Sequence, residues 1–519
     1  MPLPEKSTEW PPKPFDRAQK EMRTWNAWYT GNVEVLEEIY RENNRQRPSQ
    51  YAGGVVGKLA RFFWGRPNPQ QSHRLHVPAA SDLARASADL LFAQPPMFVV
   101  GEDDARGDRQ ATQDRLQKLF GEDDAAATLA ESAEVASALG GTYLRWWWDK
   151  EVADKVKLGA VAADAAVPTW KYDQLAGVTF WTVVNDDNDT VYRHLERHEP
   201  GRILHGLYEG DRGRLGRAVP LTEHSSTSWA ADLVDSEGAI ETGIDALTAT
   251  YIPNVRPNRK WRPIHGLSPL GRSDFDGLEP LFDALDESYS SWMRDIDLGK
   301  ARLFVDESML KPLGPGKGSA WDSEQSIFTP MASGLGSMQN GNAPVQANQF
   351  TIRWQEHANT CAELLNAILR GAGLSAGSFS DNSLTASTGV PTATEVNSRD
   401  RLSERTRDKK INYYKAGLRP FARAGFELDN IQFGTGLELK DMPEIRFPIR
   451  PQQSPVELAQ TLGTLSAANG VSIEQMVRQQ HPNWSSDDVN DEVDRIWEDV
   501  ERKAKLAYVA EPDVPDSEY

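Results

Sequence analysis

Leu278-Glu279-Pro280-Leu281-Phe282-Asp283-Ala284-Leu285-Asp286-Glu287-Ser288-Tyr289-Ser290-Ser291-Trp292-Met293-Arg294-Asp295-Ile296 is the stretch that decides the fold. Its apolar residues Leu278, Phe282, Leu285, Tyr289, Trp292 and Ile296 recur at alternating steps of four and three. Trp354, Ala358, Cys361, Leu365 and Ile368 repeat that rhythm further along the chain. Both are narrow seams with the period of helix-on-helix packing. Each needs a partner helix along its length, so the pair reads as a stalk carrying whatever lies between them. Pro280 fits if the first helix begins near Leu278, because the first turn tolerates proline. Ser273 with Asp276 resembles a capping box just upstream.

Between the seams, Lys311 to Gln349 is crowded with Gly, Pro, Ser and Asn. A structureless loop of that length is unusual inside a compact domain. It is expected to be a small protruding module or a segment ordered on assembly. A second polar loop follows from Gly371 to Thr392, rich in Ser, Thr and Asn over Ser378 to Gly389.

The helix after that loop is of a different kind. Ala393 to Leu418 is polar on nearly every side. Asp400, Glu404 and Asp408 form one stripe at steps of four, and Arg401, Arg405 and Lys409 form the neighbouring one, about 100° around the axis. Like charges stacked in this way are mildly unfavourable in a lone helix, with Arg401–Glu404 and Arg405–Asp408 offsetting part of the cost. Two readings stay open: an exposed helix laced by its own ion pairs, or a helix lining a shared passage. In the second, the acidic stripe of one copy faces the basic stripe of the next.

Outward from this centre, 519 residues predict several modules, each able to bury a core. Upstream, helices are expected over 15–46, within His76 to Phe92 after a short extended entry, and over Thr128 to Leu139. Strands are expected at Met97 to Val100, Thr142 to Asp149, Val178 to Val184, Thr190 to Arg197, Arg202 to Glu209 and Ala246 to Ile252. Asn185 to Asp189 reads as a hairpin turn, so the first half is α+β. Downstream, strands are expected at Ile431 to Phe433 and Glu444 to Ile449. Capping boxes at Ser454 and Ser472 open helices, and a further helix carries Val489, Val493, Ile496, Trp497, Val500 and Ala504.

One cysteine excludes an internal disulfide; on the second seam Cys361 reads as a small buried apolar residue. No apolar run approaches the ~20 residues a membrane-crossing helix needs, and Met1 to Pro14 does not read as a signal peptide. The net charge is −19, so the general surface does not grip phosphates.

No catalytic constellation emerges. Gly314-Pro315-Gly316-Lys317-Gly318-Ser319 fails the spacing of a phosphate-binding loop. His194 and His198 sit in a strand context, too far apart along it for one metal, and read as a solvated strand face. Asn185 to Asp189 lacks the glycine and late glutamate of a calcium loop. In Trp146-Trp147-Trp148, alternation sends Trp147 to one face and its neighbours to the other, which favours a layered core over a sugar-stacking strip.

Taken in order, Gly271-Arg272-Ser273-Asp274, Leu285 to Asp295 running into Gly299-Lys300-Ala301-Arg302-Leu303, Thr392 to Val396, Glu492 to Glu498 and Trp25 to Gly31 resemble the portal proteins of tailed bacteriophages. The likeness is to the siphovirus-like head portals of phages infecting actinobacteria, and it spans nearly the whole chain. It implies a mixed α+β portal fold: an α/β wing, an antiparallel helical stem, a small clip module, a long channel helix and an α-helical C-terminal crown. The corresponding ranges are 1–271 wing, 272–302 first stem helix, 303–349 clip, 350–370 second stem helix and 371–393 tunnel loop. The long channel helix takes 394–424, wing return strands 425–452, the crown 453–510 and an acidic tail 511–519.

The resemblance further implies a homo-oligomeric ring, usually of twelve copies, at one capsid vertex of the virion, assembled in the host bacterial cytoplasm. Double-stranded DNA passes through it without sequence preference, in packaging and in ejection. The implied partners are terminase, head-completion or adaptor proteins, and the major capsid and scaffold proteins; no membrane, cofactor, metal or catalytic residue is implied. Ser380, Asn382, Ser383, Thr385 and Ser387 are then the DNA-facing loop positions. Lys311, Lys317, Trp321, Asp322 and Glu324 are the clip contacts to terminase. Asp400, Arg401, Glu404, Arg405, Asp408 and Lys409 pair between subunits, and Phe282, Leu285, Tyr289, Trp292, Trp354, Cys361 and Leu365 pack the stem. Twelve chains at −19 amount to about −230, which keeps a conduit from holding its cargo. The competing readings are an acidic, Trp-rich polysaccharide hydrolase, or another ring-forming virion adaptor.

Overall fold

The computed structural model describes residues 3–4, 7–43, 75–101, 109–187, 190–299, 302–305, 311–312, 319–320, 345–348, 352–375, 393–448, 455–468, 470–481, 484 and 486–509. The chain opens with α1 (Phe15–Thr30) and α2 (Val33–Asn43), separated at Gly31, whose φ of 64° places it in the left-handed region that ends helices. The helical stretch expected over 15–46 thus forms two helices among the described residues. Then come α3 (Ala79–Phe92), β1 (Met97–Val99), α4 (Arg109–Phe120) and α5 (Asp123–Leu139), which stops at Gly140 with φ 88°. Strands β2 (Gly141–Trp147), β3 (Lys157–Ala162), β4 (Ala166–Lys171), β5 (Gln174–Asp187), β6 (Thr190–Glu199), β7 (Arg202–Asp211) and β8 (Arg214–Val219) follow. A short α6 (Ser228–Ala231), β9 (Ala239–Glu241) and β10 (Ala249–Pro253) complete the first half.

The second half holds α7 (Glu279–Gly299), the short strands β11 (Arg302–Val305), β12 (Lys311–Pro312), β13 (Ser319–Ala320) and β14 (Val345–Asn348), and α8 (Trp354–Ala372). It continues with α9 (Ala393–Phe433), β15 (Glu444–Arg446), α10 (Pro455–Ala467), α11 (Ile473–Gln480) and α12 (Ser486–Val509). The strand expected at Ile431 to Phe433 is absent, because α9 runs through those residues; of the expected return strands among the described residues, only β15 forms. Propensity misled here: the β-branched Ile431 and the aromatic Phe433 extend a helix already anchored by its buried face upstream. Every described strand pairing is antiparallel, so the upstream module is α+β rather than the α/β expected for a wing.

The chain divides into two compact units: residues 1–35, 78–278 and 369–519, and residues 36–77 and 279–368. In the larger unit, β4-β5-β6-β7-β8 form one sheet with β9 added on β7, and β10-β2-β3 form a second. β1 pairs with β15, tying the region after α3 to the region after α9. The main core gathers α3, α4, α5, the second sheet and α9 around Trp146, Phe98, Phe120, Tyr414, Leu418 and Phe426. Trp146 is fully buried, Trp147 is 36% exposed and Trp148 packs against the core, which matches the alternation read from the triple tryptophan.

In the smaller unit, α7 and α8 run antiparallel. Trp292 stacks on His357 at 6.1 Å, and Asp295 meets Arg353 at 2.9 Å. Each advance along one helix is thus matched by a retreat along the other. The same ladder continues in β11 and β14, where Arg302 faces Asn348. Asp286, buried in α7, accepts hydrogen bonds from the His76 ring (3.0 Å) and the Val77 amide (2.8 Å), fastening the chain segment before α3 to α7.

Candidate functional site

The motif Gly271-Arg272-Ser273-Asp274 builds a buried junction in the larger unit. A Cβ on Gly271 would stand 2.2 Å from the Gly140 carbonyl, so only glycine fits where the chain crosses the end of α5. Ser273 is buried, and its hydroxyl donates to the carbonyls of Ala138 (2.5 Å) and Ser137 (3.2 Å). It satisfies two of the carbonyls a helix C-terminus leaves open. This replaces the expected capping box: Ser273 caps the end of α5, and α7 begins only at Glu279.

Asp274 is the hub. It accepts hydrogen bonds from Ser137 Oγ (2.7 Å), Ser87 Oγ (3.2 Å), Asn254 Nδ2 (2.8 Å) and Lys410 Nζ (2.5 Å). Lys410 is 3% exposed and also donates to Ser87 Oγ at 2.6 Å. A buried charge is tolerable only when paired and hydrogen-bonded, and here both charges are. One carboxylate therefore joins α3, α5, the approach to α7 and α9. Elsewhere on α9, Arg407 donates to the carbonyls of Leu90 and Pro448, and Asp429 accepts two hydrogen bonds from Arg115 at 2.7 and 2.8 Å. Sequence reading passed over Lys410, Arg407 and Asp429; its only pointer was Asp274, inside a motif singled out for resemblance.

With its inner side so clamped, α9 presents a charged outer side. Arg401, Arg405, Asp408 and Lys409 are exposed and Glu404 half-buried; of Asp400 the backbone alone is described. The expected pairs Arg401–Glu404 and Arg405–Asp408 do not form; Asp408 instead lies 3.7 Å from Arg407. The outer side carries two more exposed cations, Arg419 and Arg423. At 100° per residue, all five cations fall within an arc of about 80°.

Among the expected stem-packing residues, Phe282, Leu285 and Cys361 are buried, and Tyr289 and Trp292 are half-buried. Burial pushes the Tyr289 hydroxyl and the Cys361 thiol up from their ordinary values. Trp354 and Leu365 are 58% and 40% exposed, so the seam of α8 is only partly covered within one chain. Ser380, Asn382, Ser383, Thr385 and Ser387 lie outside the described residues, as do Lys317, Trp321, Asp322, Glu324 and the capping Ser454. Lys311 falls on β12, of which only the backbone is described.

The β6 histidines are not a solvated face. His198 is fully buried, hydrogen-bonded to Thr248 Oγ1 (2.6 Å) and Glu196 Oε1 (2.7 Å). His194 stacks on His205 of β7, with Nε2 and Nδ1 3.2 Å apart, and Trp229 meets both rings edge-on. The strand alternates inward and outward as read, but Trp229 of α6 lies over His194, and Thr248 and the Phe180 ring close on His198. Burial would raise Glu196, yet His198 and the ion pair with Arg145 outweigh it and hold the carboxyl well below its ordinary value. Burial also pushes His205 down to about 4 and lowers His194. Among the described residues no group of three or more His, Cys, Asp or Glu is placed to hold a metal, and no helix is long and apolar enough to cross a membrane.

The family described as "Phage portal protein, SPP1 Gp6-like" matches residues 14–506. No curated protein sequence matches the chain. Among solved structures, the chain is similar to a component of the neck of a native GTA particle with C12 symmetry, at 12% identity and TM-score 0.39, covering 81% of this chain and 91% of that one. It is also similar to a chain from the virion of a native gene transfer agent particle, at 13% identity and TM-score 0.41, covering 82% and 99%. A third likeness is to a neck chain of an empty GTA particle with C6 symmetry, at 12% identity and TM-score 0.40, covering 78% and 90%.

Proposed function

The chain belongs to the SPP1 Gp6-like phage portal family, and from that premise we propose that it closes with its own copies into a ring at one capsid vertex of the virion. Double-stranded DNA moves through the hole during packaging and ejection, and terminase and head-completion proteins dock on its outer end. The work is mechanical, without turnover. The single observation that carries this reading is the family match over residues 14–506.

The geometry supports it. The α7–α8 hairpin leaves Trp354, Leu365 and Met293 exposed on helices whose other sides are covered, as an inter-subunit stem requires. α9 is clamped to its own chain on one side and exposes charged side chains on the other. The acidic net charge keeps phosphates from adhering to the surface at large. By this reading the stem is 272–302 with 350–370, the clip 303–349, the tunnel loop 371–393 and the crown 453–510.

Purified protein examined by light scattering and negative-stain imaging should give closed rings of many copies. A chain that stays single under every assembly condition and hydrolyses a polysaccharide would overturn the proposal.

A further inference from the structure

The exposed side of α9 is out of balance with the rest of the molecule. From Arg401 to Arg423 the helix holds eight Lys or Arg against two Asp or Glu, a surplus of six positive charges. The whole chain is at −19, so the remainder stands at −25. Arg401, Arg405, Lys409, Arg419 and Arg423 all reach solvent. None of Arg401, Arg405, Lys409 and Arg423 forms an ion pair with a described residue, and Arg419 spends one N–H on the Pro443 carbonyl (3.2 Å). Five aligned cations on one helix, about 33 Å from first to last at 1.5 Å per residue, form an exposed edge that no acid among the described residues neutralises.

Two observations choose the partner. The matching stripe on a neighbour's α9 is too weak, because its three acids Asp400, Glu404 and Asp408 face five cations, Glu404 is half-buried and Asp408 already lies beside Arg407. Alongside the cations, the helix also borders a cavity of about 380 Å³ whose walls carry the rings of Trp170, Tyr251, Tyr413 and Phe421 together with the charged Asp173 and Arg256. Ala416, exposed between Asn412 and Arg419 on the ridge, lines its rim. The Asp173 carboxylate in its wall disfavours a phosphate backbone, whereas a protein surface can bring an apolar side chain to the aromatic walls and an acid to Arg256.

We infer that the Arg401–Arg423 ridge of α9, with the adjoining cavity, receives an acidic surface of a second copy of this chain, an apolar side chain of that copy seated in the cavity. The inference rests on the ring reading and deepens it. It moves the complementary charges off the neighbour's α9 and onto the acidic remainder of the neighbour, and it brings in Arg419, Arg423 and the cavity.

The experiment compares the wild type, Arg419→Glu/Arg423→Glu and Ala416→Trp by mass photometry at about 0.15 M salt, where surface charges are screened beyond ~8 Å. Circular dichroism checks that each variant folds, and retention of a labelled 30-base-pair duplex is measured in parallel. All three substituted side chains are exposed, so the fold should survive. Both variants should leave at least ~10-fold more free chain than the wild type, and raising the salt should weaken the wild-type ring. Wild-type rings that both variants rebuild unchanged would overturn the docking surface and leave the ring reading standing. Rings intact in the charge-reversed variant but with lost duplex retention would give the ridge to DNA instead. A wild type that never associates would sink both readings.

Discussion

The indole nitrogen of Trp146 donates a 2.9 Å hydrogen bond to the backbone carbonyl of Phe421, and the two rings stack 4.8 Å apart, 13° from parallel. A strand and the long helix are thereby locked at one point of the core. Trp146 has no solvent exposure, so its N–H must find an acceptor inside. It takes a carbonyl of α9 one residue after Pro420. Proline at that position has no N–H for the Ala416 carbonyl, so the helix ladder is already interrupted there.

Gly425 is what allows the indole so close. A Cβ there would stand 2.2 Å from Trp146 Cε2. Gly425→Ala gains helix propensity of up to ~1 kcal/mol but overpacks a buried ring, which costs about 1–3 kcal/mol. The clash is with a side chain fixed on all sides, so the net outcome should be a loss of about 2 kcal/mol in urea unfolding. Gly463 in α10 has nothing within 4 Å of an added Cβ. Gly463→Ala should raise stability by about 0.5–1 kcal/mol. Equal effects at the two glycines would refute this account.

Lys410 and Asp274 predict a larger effect. Lys410→Met leaves Asp274 buried without its cation and should cost about 3–5 kcal/mol. Asp274→Asn alone should cost a similar amount. The double variant should lose clearly less than the two losses combined, because residues in one network couple. Denaturant midpoints of the four proteins test this, and additive losses would show that the pair does not act as a unit.

The helical stalk was legible from spacing alone, because Phe282, Leu285 and Cys361 stand at a period that only a packed helix pair satisfies. The exposure of Trp354 and Leu365 was not, since periodicity marks an apolar side without saying which molecule covers it. The Asp274 hub was invisible for a different reason. Its partners Ser87, Ser137, Asn254 and Lys410 lie far apart in the chain, and no local pattern announces a tertiary carboxylate. The β6 histidines were misread because alternation gives the two faces of a strand but not what later residues, here Trp229 of α6 and Thr248, bring against the polar one.

That histidine cluster gives a pH prediction. His205 is held down to about 4 by burial, against an ordinary value of 6.5. Below pH 6.5 the unfolded chain takes up a proton that the folded chain refuses. Stability is therefore full above 6.5 and falls as pH drops toward 4, by about 3 kcal/mol from this group. Glu196 acts in the same direction, but its contribution fades only below its ordinary value of 4.5, so the interval from 6.5 to 5 isolates the histidines. His205→Gln, which keeps a hydrogen-bonding side chain toward His194, should flatten unfolding free energy over that interval. An unchanged slope would remove His205 as the cause.

Cys361 offers a final test, on the hairpin itself. It is the only cysteine of the chain, is 4% exposed, and its thiol is pushed up by burial. The thiolate is the reactive form, so burial slows alkylation twice, by denying access and by suppressing ionisation. In the folded protein Cys361 should react with a thiol reagent at least ~10-fold more slowly than in denaturant. Trp292→Ala removes the ring that stacks on His357 next to it in the α7–α8 ladder. That variant should expose the thiol well before the larger unit unfolds, because its ladder contacts are confined to the hairpin. Alkylation of Trp292→Ala at the wild-type rate, with circular dichroism showing both proteins folded, would mean that the stack does not hold the helices together.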